Sequence, residues 1–504
     1  MERKTERIYT LTACFDGYLE ESLDGEIRLA DYYPDAQEIL KIETPVSVTE
    51  GKIGGDKVKV DGTLLFRVCY ASRENRLGSV SLPLPFSVTF DAKRLLPSDG
   101  KVEATAVVRY KNARLINARR IEVKAAVGIS VTVKSKTGHE YLLPAEDEVE
   151  YRTAELTVGS FVGNGEREQK ISEEFPLPEG KPNIGMIVRY DTLATLTEVR
   201  AITGKAVLKG DVMLKLLYLN EENEPERLEY AVPVTQIVEI DGLSDQTALA
   251  GSFSIAQSRV EPLTGANGEA NAIKLEALVT ARLEGYEKIP ITVCTDAFSP
   301  QYDTTVKKSK LPSTQLIDVL TQEQPFSETL EYSSGEVERI YDLWGSAGEA
   351  KIELTESKAT VTTEVELTVL AFDKDGHLCS VDSTVPVSAE IRFPDDASYA
   401  VAPRLSLLDL TFAMTGDNLI EVHGSIRIES AITKNVTVEA ITELLVSETP
   451  KSGKHPPFAA YFASAGESVW DIAKAHDARV GDVLTDNGLE DDTLKEDRIL
   501  KLFC

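Results

Sequence analysis

The stretch Thr44–Tyr70, TPVSVTEGKIGGDKVKVDGTLLFRVCY, decides how this chain is read, because it occurs more than once. Thr192–Tyr218, TLATLTEVRAITGKAVLKGDVMLKLLY, aligns on it without a gap. It keeps Thr49-Glu50 as Thr197-Glu198, Lys57 as Lys205, Gly62 as Gly210 and Tyr70 as Tyr218. Apolar and polar residues alternate in both copies, and Val, Ile, Thr and Leu dominate, which is the period-two signature of half-buried strands. A third, weaker copy runs from Thr355-Glu356 to Phe372. A polar turn follows each aromatic end, then a proline-led strand: Pro83–Phe90, Pro233–Ile240 and Pro386–Phe393. Proline lacks the ladder N–H, so it belongs at a strand's first residue or on a sheet edge. A long strand-like stretch closes each copy: Arg119–Val133, Ala272–Ala281 and Leu419–Ile428. Gly62 and Gly210 read as turn residues, and Tyr70, Tyr218 and Phe372 as core.

The repeat period, about 150 residues, sets the organisation. Three units are expected at 1–155, 156–311 and 312–448. A linker follows at 449–457, rich in Pro, Ser, Gly and Lys, and then a short module at 458–504. The predicted class is mainly β: three related β-sandwich or barrel-like repeats followed by a small α+β module. In that module Tyr461 and Ala463 lie on a strand, and Ser468 is the N-cap of a helix presenting Val469, Ile472 and Ala473 on one face. Val480, Val483 and Leu484 repeat the spacing, Asn487-Gly488 supplies a left-handed stop, and Arg498–Phe503 returns as a strand.

Composition narrows the function. The 504 residues carry 83 acidic against 54 basic side chains, a net charge of −29, which disfavours nucleic acid and anionic lipid. That charge is graded: −2 for 1–155, −7 for 156–311, −15 for 312–456 and −5 for 457–504. No apolar segment follows the charged opening residues and no 18-residue apolar run occurs, so neither a secretory signal nor a membrane span is expected. Cys14, Cys69, Cys294, Cys379 and Cys504 are scattered, which favours a reducing cytosolic compartment. His139, His377, His423, His455 and His476 are equally dispersed, and no zinc-protease, phosphate-loop or serine-hydrolase motif is present. No enzyme activity, cofactor or metal is expected.

One basic cluster stands out: Arg109, Lys111, Arg114, Arg119, Arg120 and Lys124. It is either a solvated strand edge that discourages strand addition or a docking patch for an acidic partner, including an acidic repeat of another copy.

The three blocks resemble the SPOCS family, also called DUF3794, of spore-coat and spore-associated proteins. The terminal module resembles a LysM domain through Gly466, Trp470, Ile472, Ala473, Leu484, Asn487 and Gly488. Gly466-Glu-Ser-Val469 stands where the LysM pattern has Gly-Asp-Thr-Leu, Leu502-Phe503 replaces Ile-Pro, and the acidic run Glu490-Asp-Asp492 lies beside the expected groove. LysM resemblance implies a shallow groove between 465–469 and 487–490 that takes N-acetylglucosamine glycans such as peptidoglycan. The groove residues it implies are Gly466, Glu467, Ser468, Val469, Trp470, Asn487, Gly488 and Leu489; Trp470 has the alternative role of packing its module's core. SPOCS repeats followed by LysM resemble clostridial coat-morphogenetic proteins. That likeness implies a non-enzymatic factor in the mother-cell cytosol, tethering coat layers to the forespore by docking a SpoIVA-type ATPase and other coat proteins. The alternative is a peptidoglycan-binding protein of cortex or cell wall.

Overall fold

The computed structural model describes residues 4–145, 148–265, 268–451 and 458–503. Most of the expected linker, 452–457, lies outside them, as does Cys504.

The first unit contains β1 (Thr5–Arg28), β2 (Ala36–Glu43), β3 (Val46–Gly54), β4 (Lys57–Ser72), β5 (Leu77–Asp91), β6 (Lys101–Asn117) and β7 (Arg120–Leu142). One sheet has β2 and β3 along one side of β4 and β5 along the other; the second sheet runs β1-β7-β6. Alternation dictates this layering. Leu84, Phe86, Val88 and Phe90 of β5 are buried, while the residues between them are exposed. Val58, Val60 and Leu64 of β4 meet Ile121, Val123 and Val127 of β7 in one core, so the sheets face each other as a sandwich.

The second unit repeats the plan with β8 (Glu150–Pro176), β9 (Ile184–Ile202), β10 (Lys205–Asn220), β11 (Pro225–Glu239), β12 (Ala248–Thr264) and β13 (Ala270–Phe298). The third has β14 (Tyr302–Glu331), β15 (Val337–Ala347), β16 (Lys351–Leu354), β17 (Lys358–Asp373), β18 (Leu378–Arg392), β19 (Ser398–Leu407), β20 (Thr411–Met414) and β21 (Leu419–Pro450). The central hairpins share one register: Lys57 opposes Asp91, Lys205 opposes Glu239 and Lys358 opposes Arg392. Each hairpin turn places a residue in the left-handed region at the same position: Asn75 (φ 57°), Asn223 (65°) and Gly376 (78°). Asn and Gly are the residues that accept this conformation most readily.

This register corrects three sequence readings. Gly62 and Gly210 lie inside β4 and β10, not at turns. A Cβ on Gly210 would stand 1.9 Å from the Thr195 carbonyl oxygen, and one on Gly62 would meet the Phe86 ring at 2.1 Å, so close approach excludes a side chain there. The prolines are not strand-leading. Pro233 opposes Asp211 and Pro386 opposes Glu364, their counterpart in the first unit is Pro85 rather than Pro83, and all three sit exposed inside edge strands, where no ladder N–H is missed. Finally, Ala371 rather than Phe372 occupies the position of Tyr70 and Tyr218. A one-residue shift along a strand exchanges its two faces. Phe372 therefore aligns with Ala71 and Leu219 and points out of its own sandwich.

That second face builds the junction of the three units. Cys69 and Ala71, Leu217 and Leu219, and Leu370 are joined by Leu40, Val188, Tyr341 and Trp344 in one buried cluster, with Phe372 packed against it. Leu40, Val188 and Tyr341 hold corresponding positions in the three repeats. The long strands make a second joint, where Ile8 and Tyr141, Val158 and Val293, and Leu311 and Val438 pack together.

The terminal module comprises β22 (Ala459–Ala463), α1 (Val469–Ala475), α2 (Val480–Asn487) and β23 (Arg498–Leu502). Its core unites Val469, Ile472, Ala473, Val483, Leu500 and Leu502. Gly488 ends α2 at φ 62°.

Candidate partner-binding surfaces

Of the two loops expected to flank a groove, 465–469 is tied not to 487–490 but to the segment just beyond it, 492–494. The Val469 N–H donates to the Asp492 carbonyl at 2.6 Å, Gly466 N–H to Leu494 at 2.8 Å and Leu494 N–H to Glu467 at 3.0 Å, while Ser468 and Thr493 form a β-bridge. Ser468 does not cap α1 with its own side chain. It donates instead to the Asp492 carboxylate, which also accepts the Trp470 N–H at 2.9 Å. A carboxylate accepts more strongly than a hydroxyl at a positive helix end, so Asp492 has taken over the capping. Glu467 turns inward to accept the Ser464 N–H. Asn487 accepts the Lys501 N–H and donates to the Lys501 carbonyl, tying α2 to β23. Val469 is fully buried, and Leu489 packs against the module's core. Gly466 (φ 92°) and Gly488 hold left-handed turns with open space beside them.

Trp470 belongs to the module's core and to a joint with the second repeat. Its ring meets Phe298 edge-on at 5.0 Å, and its indole N–H donates to Asp296 at 2.8 Å. Lys474, one turn along, donates to the same carboxylate at 2.7 Å. Burial disfavours the Asp296 charge, but the bonds from Lys474 and Trp470 prevail and hold its pKa below the usual aspartate value. Arg152 reaches Asp492 at 3.3 Å, and Lys451 pairs with Asp477.

Each cation of the basic cluster has an acidic partner within the chain. Arg109 pairs with Glu349 at 3.1 Å and Lys111 with Glu366 at 2.7 Å, both in the acidic third repeat. Arg114 and Lys124 share Glu122, Arg120 takes Glu26, and Arg119 pairs with Asp35 and donates to the Ala30 and Tyr33 carbonyls. Bonds from Arg120 and Arg28 bring the half-buried Glu26 down to about 2.

Sequence reasoning missed a charged network at the three-repeat junction. Arg67 donates to Glu43 at 2.8 Å, Arg189 lies 3.1 Å from the other Glu43 oxygen and 2.6 Å from Asp191, and Arg227 donates to Asp342 at 2.8 Å. The Trp344 indole also donates to Asp342, and Arg189 covers the Trp344 ring at 5.4 Å. Burial opposes ionisation of Glu43, yet Arg189, Arg67 and Lys41 outweigh it and keep its pKa below the ordinary glutamate value. Glu43, Asp191 and Trp344 occupy corresponding repeat positions. That placement is the signal a sequence alignment could have carried.

Among the described residues, one group has metal-ligand spacing: Asp373, Asp375 and His377, with ligand atoms within 4.8 Å of one another. Asp373 already accepts the His377 N–H, as part of the hairpin turn. Among the described residues no helix is long and apolar enough to cross a membrane.

Residues 35–116 and 183–261 match the family model described as SipL, SPOCS domain. The first two repeats therefore each carry a SPOCS domain, the matched segments spanning β2–β6 of the first and β9 to Glu261 in β12 of the second. A SipL-type SPOCS domain points to a sporulation, coat-related role. No curated protein and no solved structure matches the chain.

Proposed function

We propose that the chain is a non-enzymatic spore-coat assembly factor acting in the mother-cell cytosol at the forespore surface. Its three joined repeats form the platform. The terminal module is the LysM-like head that attaches the platform to a coat scaffold ATPase. The carrying observation is the SipL-type SPOCS match on two repeats, which have the same hairpin register as the third. The loop 466–469 is held by backbone bonds to 492–494 and bordered by the acidic run Glu490-Asp-Asp492, a charged surface that favours a protein partner over a neutral glycan. The test is deletion of 458–504 in a sporulating host with a fluorescent fusion. Forespore localisation and capture of the purified ATPase are expected to be lost, and unaltered localisation would overturn the reading.

A further inference from the structure

The two-stranded sheet of the terminal module is apolar on both sides. Tyr461, Ala463, Leu500 and Leu502 face the helices, as a core requires. The opposite face carries Phe458, Phe462, Ile499 and Phe503, exposed by 51%, 77%, 56% and 51% within the whole chain. Phe462 lies directly across from Ile499, and the Phe458 and Phe503 rings sit 5.4 Å apart. A sheet with one face in water normally alternates to polar residues on that face. Here Lys501 is the one charged residue between these apolar side chains, although the module holds ten acidic and four other basic residues elsewhere to keep it soluble.

Charge selects the occupant. Lys501 forms the middle cross-strand pair with Ala460, so one ammonium group lies between two apolar pairs. A second copy stacked on this face about a twofold axis would bring two Lys501 side chains together, and like charges there oppose self-association. The apolar patch is also compact: large apolar side chains carry about 150–250 Å² each, so the four exposed fractions amount to roughly 400 Å². An amphipathic helix fits both constraints: apolar residues at i, i+3 and i+7 cover the two apolar pairs, and a carboxylate between them meets Lys501.

We propose that this outer sheet face, not the loop groove, docks an acidic amphipathic helix of a protein partner. The inference rests on the reading of the module as the attachment head. It names the face and the chemistry of what binds there.

The test uses the full chain and the purified coat scaffold ATPase as probe. Phe462→Asp with Ile499→Asp, and separately Lys501→Glu, should each weaken capture about tenfold or more, with the melting temperature unchanged because all three side chains are exposed. Glu467→Ala should capture normally. If deletion of 458–504 abolishes capture but the Phe462/Ile499 variant binds like the parent, this face is wrong and the attachment role stands. If the deletion still captures the ATPase, both fall. A concentration-dependent dimer in sedimentation velocity that Phe462→Asp dissolves would assign the face to a second copy and overturn the proposal. Retention on purified peptidoglycan that the same variant abolishes would overturn it in favour of a glycan.

Discussion

Replacing Asp296 by Ala should loosen the terminal module from the second repeat. The carboxylate accepts the Trp470 indole N–H at 2.8 Å and pairs with Lys474 at 2.7 Å. A hydrogen bond to a charged acceptor contributes about 1.5 kcal/mol, and a pair whose lysine side chain is 39% exposed adds about 0.5 kcal/mol after screening. Losing about 2 kcal/mol lowers the docked-to-undocked ratio roughly 30-fold. The Phe298–Trp470 contact and the Arg152–Asp492 pair remain, so Arg152→Ala should deepen the effect. The chain has two tryptophans, and both Trp344 and Trp470 are buried, at 1% and 4% exposure. Undocking should therefore shift part of the emission to the red and make it quenchable by acrylamide, while Trp344 stays protected. Acid should act in the same direction. The Asp296 pKa is depressed in the docked state, so its contribution is complete above the ordinary aspartate value of 3.8 and is lost as pH falls through the lower docked value. Emission and quenching unchanged in Asp296→Ala would refute the account of this joint.

Gly210→Ala should destabilise the second repeat by about 2 kcal/mol or more, since backbone cannot yield cheaply to a Cβ 1.9 Å from a carbonyl, whereas Gly54→Ala meets nothing within 4 Å and should leave the melting temperature unchanged. Arg67→Met leaves Glu43 short of a partner in a nearly enclosed site and should cost about 3 kcal/mol, read by urea unfolding. Cys69 is fully buried and its thiol is pushed up to about 12, chiefly by burial, so it should resist iodoacetamide until the chain is unfolded. Arg109→Ala with Lys111→Ala removes two half-exposed pairs to the third repeat, and should cost under about 1 kcal/mol and less still at high salt.

Much of the candidate surface was out of reach of the sequence. Trp470 was legible as a helix-face aromatic, but its partners Phe298 and Asp296 lie more than 170 residues earlier, and nothing local announces them. The cationic residues Arg109 and Lys111 were visible as a cluster, yet what neutralises them is the third repeat folded back against the first. The outer face of β22–β23 was hidden for a different reason. Phe462 and Ile499 read as ordinary strand residues, and only the packing of α1 and α2 on the opposite side shows which alternate set is left in water.

What the sequence determined alone is local. Period-two patterning produced the strands, the ungapped match of Thr44–Tyr70 to Thr192–Tyr218 revealed the repeat, and Asn-Gly at 487–488 marked the end of α2. These follow from short-range sterics and burial, which neighbouring residues encode. Tertiary structure decided which face of each central strand turns inward. Phe372 was paired with Tyr70 by similarity, but the common hairpin register puts Ala371 there and sends Phe372 to the junction. Strands such as Phe66–Ser72 are buried on both faces, so alternation no longer marks the inner one. Register is then set by the hairpin turn and by what the other two repeats bring to the junction, and that is long-range information.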